Sequence, residues 1–213
     1  MKRRDFSAQL LAAAAGLPLA GNVLAQGQPT EGQHYVKLNQ PVPVPSNGKI
    51  DIVEFFWYGC PHCNALEPHL EAWIKQLPPD VNFRRAHVAF AALHETHSRI
   101  HYALDTMGLL EQMHRKVFAA IHVQRKRLDK EADIEAFMTE HGVDGKKFIE
   151  VFKSFAVQTK VRQAKQLSDA YKIDSVPTLG VHGRYWTNVG MAGGQERALR
   201  VVDFLAQKVR SGR

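Results

Sequence analysis

Cysteine is nearly absent from this sequence of 213 residues, in which Cys60 and Cys63 are the only two. There is no internal repeat and no low-complexity tract, and the apolar stretch at about 10–19 is too short to span a bilayer comfortably. The densest basic spots, Arg84-Arg85 and residues 124–130, are not interleaved with aromatic side chains, so no nucleic-acid partner is expected. What remains is a chain long enough for one core, or for one domain with a large insertion.

The N-terminus has the pattern of a cleaved leader. A basic head at residues 2–4 precedes the apolar stretch, and Val23-Leu24-Ala25 then predicts cleavage after Ala25. The run at residues 3–6 also resembles a twin-arginine signal, so twin-arginine and ordinary secretory export both stay open. The alternative is a buried N-terminal helix of a cytosolic protein. Removal of residues 1–25 as a signal peptide would leave 188 residues with a formal net charge of about +5.

The spacing of the two cysteines argues against a structural role. Two cysteines in an exported protein usually form one stabilising disulfide. A disulfide between Cys60 and Cys63 closes a very small ring, however, and the stabilisation from a disulfide grows with the length of the loop that it closes. The pair is therefore predicted to serve a reactive purpose.

Apolar patterning along the chain predicts an α/β fold. The first half is expected to hold an edge strand near Tyr35–Leu38, a central strand over 49–58, a helix from Cys60 to Leu77 ended by Pro78-Pro79, and a strand over 81–90. Some seventy helical residues and a further helix follow. The chain then forms a hairpin over 177–186 that turns at His182-Gly183, and a last helix over about 195–209. Asp129 and Asp144 are expected N-caps, and Gly108 and Gly142 expected helix stops. Residues 181–194 are also interpreted as a loop near the active site.

Cys60 stands where the central strand gives way to a helix. A helix N-terminus carries partial positive charge and unpaired N–H groups, so a thiolate at Cys60 should be stabilised and its pKa lowered. Pro61 suits the first helical turn, and His62 adds a donor and, when protonated, a positive charge. Cys63 is close enough to resolve a mixed disulfide at Cys60. Stabilising the thiolate stabilises the reduced protein, so the disulfide should be oxidising.

Glu54 interrupts the apolar strand six residues before Cys60. A buried carboxylate is costly unless it is paired or protonated, and such a group could exchange a proton with Cys63. The alternative is a glutamate that faces water from a half-buried strand. The third feature, Val176-Pro177, reads from the residues alone as a proline that opens an edge strand, because few X–Pro bonds are cis.

Together the leader, the FFWYGCPHC stretch, Glu54 and the SVPTLGVHGRY stretch resemble the DsbA family of periplasmic thiol:disulfide oxidoreductases, from about residue 30 to the C-terminus. The resemblance implies a thioredoxin fold, a central mixed sheet flanked by helices, with an inserted all-helical domain. The thioredoxin-like parts would be residues 26–92 and 160–213, and the insertion residues 93–159. A first cysteine with a low pKa and an oxidising disulfide are characteristic of this family, so the resemblance implies the same properties that the position of Cys60 predicts.

The resemblance also implies roles for particular residues. Cys60 would be the nucleophile, Cys63 the resolving thiol and Glu54 the family's buried acid. Arg85 falls where the family commonly has lysine, which keeps the positive charge but alters the proton chemistry. A cis bond between Val176 and Pro177 would contact the backbone of the substrate.

The implied activity is donation of the Cys60–Cys63 disulfide to unfolded or reduced exported proteins in the periplasm. No cofactor beyond that disulfide is expected, and a membrane quinone reductase of the DsbB type would reoxidise the protein. Trp57, Tyr58 and Val176 are expected to line an apolar surface around Cys60. We expect a monomer.

Two other functions stay open. One is a reductase or isomerase on the same fold, and the other is a periplasmic metallochaperone that uses Cys60, His62 and Cys63. His94, His97 and His101 have helical spacing that could form a metal-binding face. They are interpreted as exposed or locally bonded histidines, and no metal site is expected.

Overall fold

A computed structural model describes residues 27–45 and 48–212. The elements in chain order are β1 (Val36–Lys37), β2 (Ile50–Phe56), α1 (Pro61–Ile74), β3 (Val81–His87), α2 (Ala92–Thr106), α3 (Leu110–His122), α4 (Glu131–Glu140), α5 (Gly145–Phe152), α6 (Phe155–Ala170), β4 (Thr178–Val181), β5 (Tyr185–Asn188), α7 (Val189–Ala192) and α8 (Gln195–Arg210). The leader predicted at residues 1–25 lies outside the described residues. Within the two described ranges, every helix is too short or too polar to span a membrane.

The strands form one mixed sheet in the order β1-β5-β4-β2-β3. The β2–β3 pair is parallel, as a strand–helix–strand crossover requires, and the other pairs are antiparallel. All seven residues of β2 are buried, because helices cover both faces of this central strand. The predicted α/β thioredoxin fold with a helical insertion is confirmed.

Alternation along β2 divides its side chains between two cores. Ile50 and Ile52 pack with apolar residues of α1 and α8, whereas Val53 and Phe55 pack with Tyr171 beyond α6. Glu54 therefore belongs to the face that carries Ile52 and turns toward α1.

The helices from α2 to α5 and the start of α6 build a third core around the carboxyl end of β2. Phe56, Cys60 and Cys63 belong to the same buried cluster as Leu104 and Phe118 of this helical segment. The insertion thus packs over the start of α1, where the two cysteines lie. The predicted division at 159/160 falls inside α6, which continues unbroken.

Three local expectations were wrong. Helix α1 ends at Ile74, and the chain continues to Leu77 through tighter i→i+3 hydrogen bonds. Asp129 is not an N-cap, because its carboxylate pairs with Arg127 at 2.8 Å and the cap position of α4 is Lys130. Residues 181–194 are not a loop near the active site, since they form the β4–β5 turn, β5 and α7.

Other local expectations were confirmed. Asp144 caps α5 by accepting a hydrogen bond from the Lys147 amide at 3.0 Å. Gly108 and Gly142 have positive φ angles of 70° and 78° just beyond helix ends. The hairpin turns at His182-Gly183, whose φ angles of 50° and 65° match the tight turns preferred between antiparallel strands.

Candidate active site: the Cys60–Cys63 dithiol

Cys60 occupies the N-cap position of α1, directly after the loop that leaves β2. Its amide donates to the carbonyl of Trp57 at 3.0 Å, which closes a tight turn before the helix. A side chain on Gly59 would overlap the Trp57 ring, so any other residue at this turn would have to displace that ring. Pro61 is the first residue of the helix and lacks only an N–H that would have no helical partner.

The surroundings of Cys60 favour its anionic form. A hydrogen bond from the Cys63 thiol lowers the pKa of Cys60 from 9.0 to about 6, aided by the Cys63 and His62 amides and the His62 side chain and opposed by burial. The helix N-terminus and His62 were expected contributors, whereas the strongest one, the Cys63 thiol, was not. Both cysteines are free thiols in the structure.

Cys63 has the opposite properties. It is completely buried on α1, and burial raises its pKa far above that of an ordinary thiol. The hydrogen bond to Cys60 raises the pKa of Cys63 further, and so does the carboxylate of Glu54 when it is ionised. The site therefore holds one acidic, reactive sulfur beside one sulfur that keeps its proton.

The Val176–Pro177 peptide bond is cis, as the resemblance implied. The carbonyl of Val176 lies 3.5 Å from Cys60 Sγ and accepts its hydrogen bond when the thiol is protonated. This loop therefore sits beside the reactive sulfur although it lies more than a hundred residues further along the chain. Pro177 is buried and Val176 is half-buried.

Glu54 lies in the middle of β2 with no exposed surface, so the alternative of a water-facing glutamate is wrong. Its Oε2 atom accepts a hydrogen bond from Arg85 Nε at 3.1 Å, and its Oε1 atom is buried without a partner among the described residues. Burial raises the pKa of Glu54 to about 8; the charge of Glu67 adds to the shift and Arg85 opposes it. A carboxyl in this state carries a proton at neutral pH.

Arg85 also reaches a second buried acid that the sequence analysis missed. Its terminal nitrogen Nη2 lies 3.1 and 3.3 Å from the two carboxyl oxygens of Glu67 on α1, which is completely buried. Burial acts to raise the pKa of Glu67, but the donors around it outweigh burial and lower that pKa. The signal available in the sequence was a glutamate on the apolar stripe of α1, between Leu66 and Leu70.

His114 and Tyr58 complete this cluster and were also missed. His114 Nε2 lies 3.2 Å from Glu67 Oε1, and its Nδ1 lies 2.9 Å from the Tyr58 hydroxyl. Tyr58 has no exposed surface, so its expected place on the lining around Cys60 is wrong. Trp57 and Val176 are half-buried and remain candidates for that lining.

Histidines also hold the segment that leads into Cys60. His87 accepts from the Tyr58 amide at 3.2 Å, His97 accepts from the Trp57 indole at 3.0 Å, and His122 donates to the Tyr58 carbonyl at 2.8 Å. Of the three histidines considered as a metal-binding face, His97 and His101 are buried rather than exposed. The His94 ring packs in a tilted arrangement against Trp57, with 4.1 Å between the ring centroids.

A mixed sheet, a Cys-Pro-His-Cys dithiol at the N-terminus of the helix after the central strand, and a cis-proline loop against the first sulfur define a thioredoxin-fold dithiol protein. The model of the DSBA-like thioredoxin domain family matches residues 93–206. Two proteins named thiol:disulfide interchange protein DsbA are each 41% identical to this chain. The one from Pseudomonas aeruginosa PAO1 aligns over 85% of this chain and 86% of its own length, and the one from Pseudomonas syringae pv. tomato over 99% and 97%.

Solved structures agree with these relatives. The crystal structure of Pseudomonas aeruginosa DsbA is 41% identical, with a TM-score of 0.83 over 86% of this chain and 95% of that chain. A Neisseria meningitidis DsbA oxidoreductase is 30% identical, with a TM-score of 0.76 over 86% and 95%. The chain belongs to the DsbA family of thiol:disulfide oxidoreductases.

Proposed function

We propose that this protein is an exported disulfide donor that works in the periplasm. The observation that carries the proposal is the asymmetry of the dithiol. Cys60 lies at the N-cap of α1, where the Cys63 thiol and the His62 amide lower its pKa, whereas Cys63 is completely buried, which raises its pKa. Whatever stabilises the Cys60 thiolate stabilises the reduced protein, so the disulfide between the two cysteines is a good electron acceptor. Donation of that disulfide to reduced, unfolded exported proteins is the activity that this asymmetry favours.

Two exchange steps move the disulfide. A substrate thiolate attacks Cys60 Sγ, the bond between the two enzyme sulfurs breaks, and Cys63 leaves as a thiolate that takes up a proton. A second substrate thiolate then attacks the substrate sulfur of the mixed disulfide, and Cys60 leaves as a stable thiolate. The substrate loses two electrons and gains a disulfide, while the enzyme becomes the dithiol.

Glu54 is the proposed proton donor to Cys63 in the first step. It carries a proton at neutral pH, and it lies close enough to Cys63 that its ionised form raises the pKa of that thiol. A thiolate formed in the buried position of Cys63 is unstable until it is protonated, so a nearby neutral carboxyl assists its departure. The same carboxyl receives the proton when the dithiol is reoxidised.

His62 and Pro61 form the start of α1, and the amide and side chain of His62 stabilise the Cys60 thiolate. The Val176–Pro177 loop lies against Cys60 and is the proposed contact for substrate backbone. Trp57 and Val176 are half-buried beside it and supply apolar lining for an unfolded chain. The reaction uses the protein's own sulfurs, and a membrane quinone reductase of the DsbB type is the proposed reoxidant.

The test is oxidative refolding of a reduced, unfolded protein with catalytic amounts of this one and oxidised glutathione as the final oxidant. We expect faster recovery of native disulfides than with the Cys60→Ser variant, which cannot form the mixed disulfide. Equal recovery with both proteins would refute the proposal. A measured potential near that of thioredoxin, about −270 mV, would instead indicate the reductase that the sequence left open.

A further inference from the structure

Two buried carboxyls share a single guanidinium beneath the dithiol. Glu54 and Glu67 are both completely buried, and Arg85 binds the first through Nε at 3.1 Å and the second through Nη2 at 3.1 Å. Two carboxylates that share one positive charge in a buried site are not both ionised easily, so the pair tends to retain one proton between them. The question is which carboxyl holds it.

The hydrogen-bond donors around the pair are unequal. Glu67 receives contacts from Arg85 at both oxygens and a further one from His114 Nε2 at 3.2 Å. Glu54 receives one contact, from Arg85, and its Oε1 atom has none among the described residues. Because a carboxylate ion is stabilised by donors and an unpaired buried oxygen is costly, the proton belongs on Glu54.

His114 has the geometry of a fixed donor. Burial lowers the pKa of His114, so the ring is neutral and carries one N–H. The carboxylate of Glu67 accepts hydrogen bonds only, which assigns that N–H to Nε2 and leaves Nδ1 to accept from the Tyr58 hydroxyl at 2.9 Å. Tyr58 is completely buried and cannot turn to solvent.

We propose that His114 is a positioning residue of the redox reaction, whose hydrogen bond to Glu67 keeps the shared proton on Glu54. The inference rests on the proposed role of Glu54 as the proton donor to Cys63. Without the His114 donor, Glu67 competes for the proton and Glu54 is more often ionised. An ionised Glu54 cannot protonate Cys63 and repels its thiolate.

Other charged and titratable groups face this cluster from the surrounding elements. They are Cys60, Cys63, Glu71 of α1, His87 of β3, His101 of α2, and Arg115 of α3. Burial lowers the pKa of His87 and of His101 well below the usual range, so both stay neutral. Glu71 and Arg115 lie 3.5 Å apart and largely offset each other. Beyond the unequal contacts of Arg85, His114 is therefore the group that distinguishes Glu67 from Glu54.

The test compares His114→Leu with His114→Gln in the full reduced protein. Glutamine keeps a side-chain N–H that can reach Glu67, whereas leucine does not. The infrared band of a protonated carboxyl, assigned to Glu54 by its loss in Glu54→Gln, is followed against pH. We expect His114→Leu to shift the Glu54 titration downward by about one to two pH units, the size expected for loss of a hydrogen bond to a charged group. His114→Gln should keep the Glu54 titration close to that of the wild type.

Tyr58→Phe provides a second variant should His114→Leu not fold, because it removes only the hydroxyl that orients the ring; we expect a smaller shift in the same direction. His141→Leu, at the end of α4, is the matched control and should leave the Glu54 titration unchanged. A Glu54 titration that stays in place in both His114→Leu and Tyr58→Phe overturns the proposal. If the titration shifts but the pH profile of single-turnover substrate oxidation does not, His114 positions the proton as proposed and the role of Glu54 as donor is wrong.

Discussion

Replacement of Glu54 with glutamine should change how the stability of the reduced protein depends on pH. Burial raises the pKa of Glu54 from 4.5 to about 8, so the folded protein keeps a proton that the unfolded chain releases. A group whose pKa is raised by folding stabilises the fold below its unfolded pKa, and that contribution is lost as pH rises toward the folded pKa. The wild-type protein should lose stability through this carboxyl between pH 4.5 and about 8.

The size of this loss follows from the shift. One pKa unit corresponds to about 1.4 kcal/mol, so the carboxyl should lower the free energy of unfolding by roughly 3 kcal/mol between pH 4.5 and about pH 7. Glu54→Gln does not titrate, so the variant should gain that amount relative to the wild type over the same interval. Its amide carries a fixed penalty for a buried unpaired N–H, roughly 1–3 kcal/mol, which is the same at every pH and drops out of the comparison.

Urea denaturation of both proteins with excess reductant, repeated at pH values across this interval, measures the difference. Cys60 titrates in both proteins, so its contribution is shared. Glu150→Gln, at an exposed position of α5, is the control and should follow the wild type. A stability difference between Glu54→Gln and the wild type that is constant across the interval would refute the reasoning, because Glu54 would then be ionised throughout and could not hold a proton for Cys63.

Three further predictions use the same site. Arg85→Leu leaves a buried charge unpaired and should lower the free energy of unfolding at pH 7 by about 3–5 kcal/mol, as measured by urea denaturation. Arg85→Lys keeps the positive charge and should lose less stability. Equal losses of stability in the two variants would show that the charge of Arg85 does not stabilise the fold. Gly59→Ala should displace the Trp57 ring, change its fluorescence and destabilise the protein by about 1–3 kcal/mol, and an unchanged spectrum would contradict the packing. Iodoacetamide at neutral pH should label Cys60 and spare Cys63, as read by mass spectrometry, and comparable labelling of both would be inconsistent with the asymmetry.

Local sequence was enough to find the reactive sulfur. The position of Cys60 between an apolar strand and a helix is encoded in neighbouring residues, and the structure places it at the helix N-cap. The burial of Glu54 was likewise readable, because the apolar run around it leaves no face for water. These features depend on contacts within a few residues, where periodicity and propensity are informative.

The rest of the cluster depends on long-range packing. Glu67 and His114 are 47 residues apart and meet only because the helical insertion folds over α1. The apolar stripe of α1 indicates that Glu67 is buried, but no local pattern identifies His114 as its partner. Nor does any local pattern show that Tyr58 packs into the core of the helical insertion rather than onto the lining around Cys60. The proline pair predicts a helix end at Leu77, but α1 ends at Ile74 because the backbone tightens into i→i+3 hydrogen bonds before the prolines.

The most direct test of the account is titration of the reduced protein by its thiolate absorbance, with Cys60→Ser as the blank. The account predicts that the first sulfur ionises with a pKa of about 6, so that roughly nine in ten molecules carry the thiolate at neutral pH. Ionisation near the ordinary value of 9.0 would contradict it, since the Cys60–Cys63 disulfide would then have no special tendency to be transferred to a substrate.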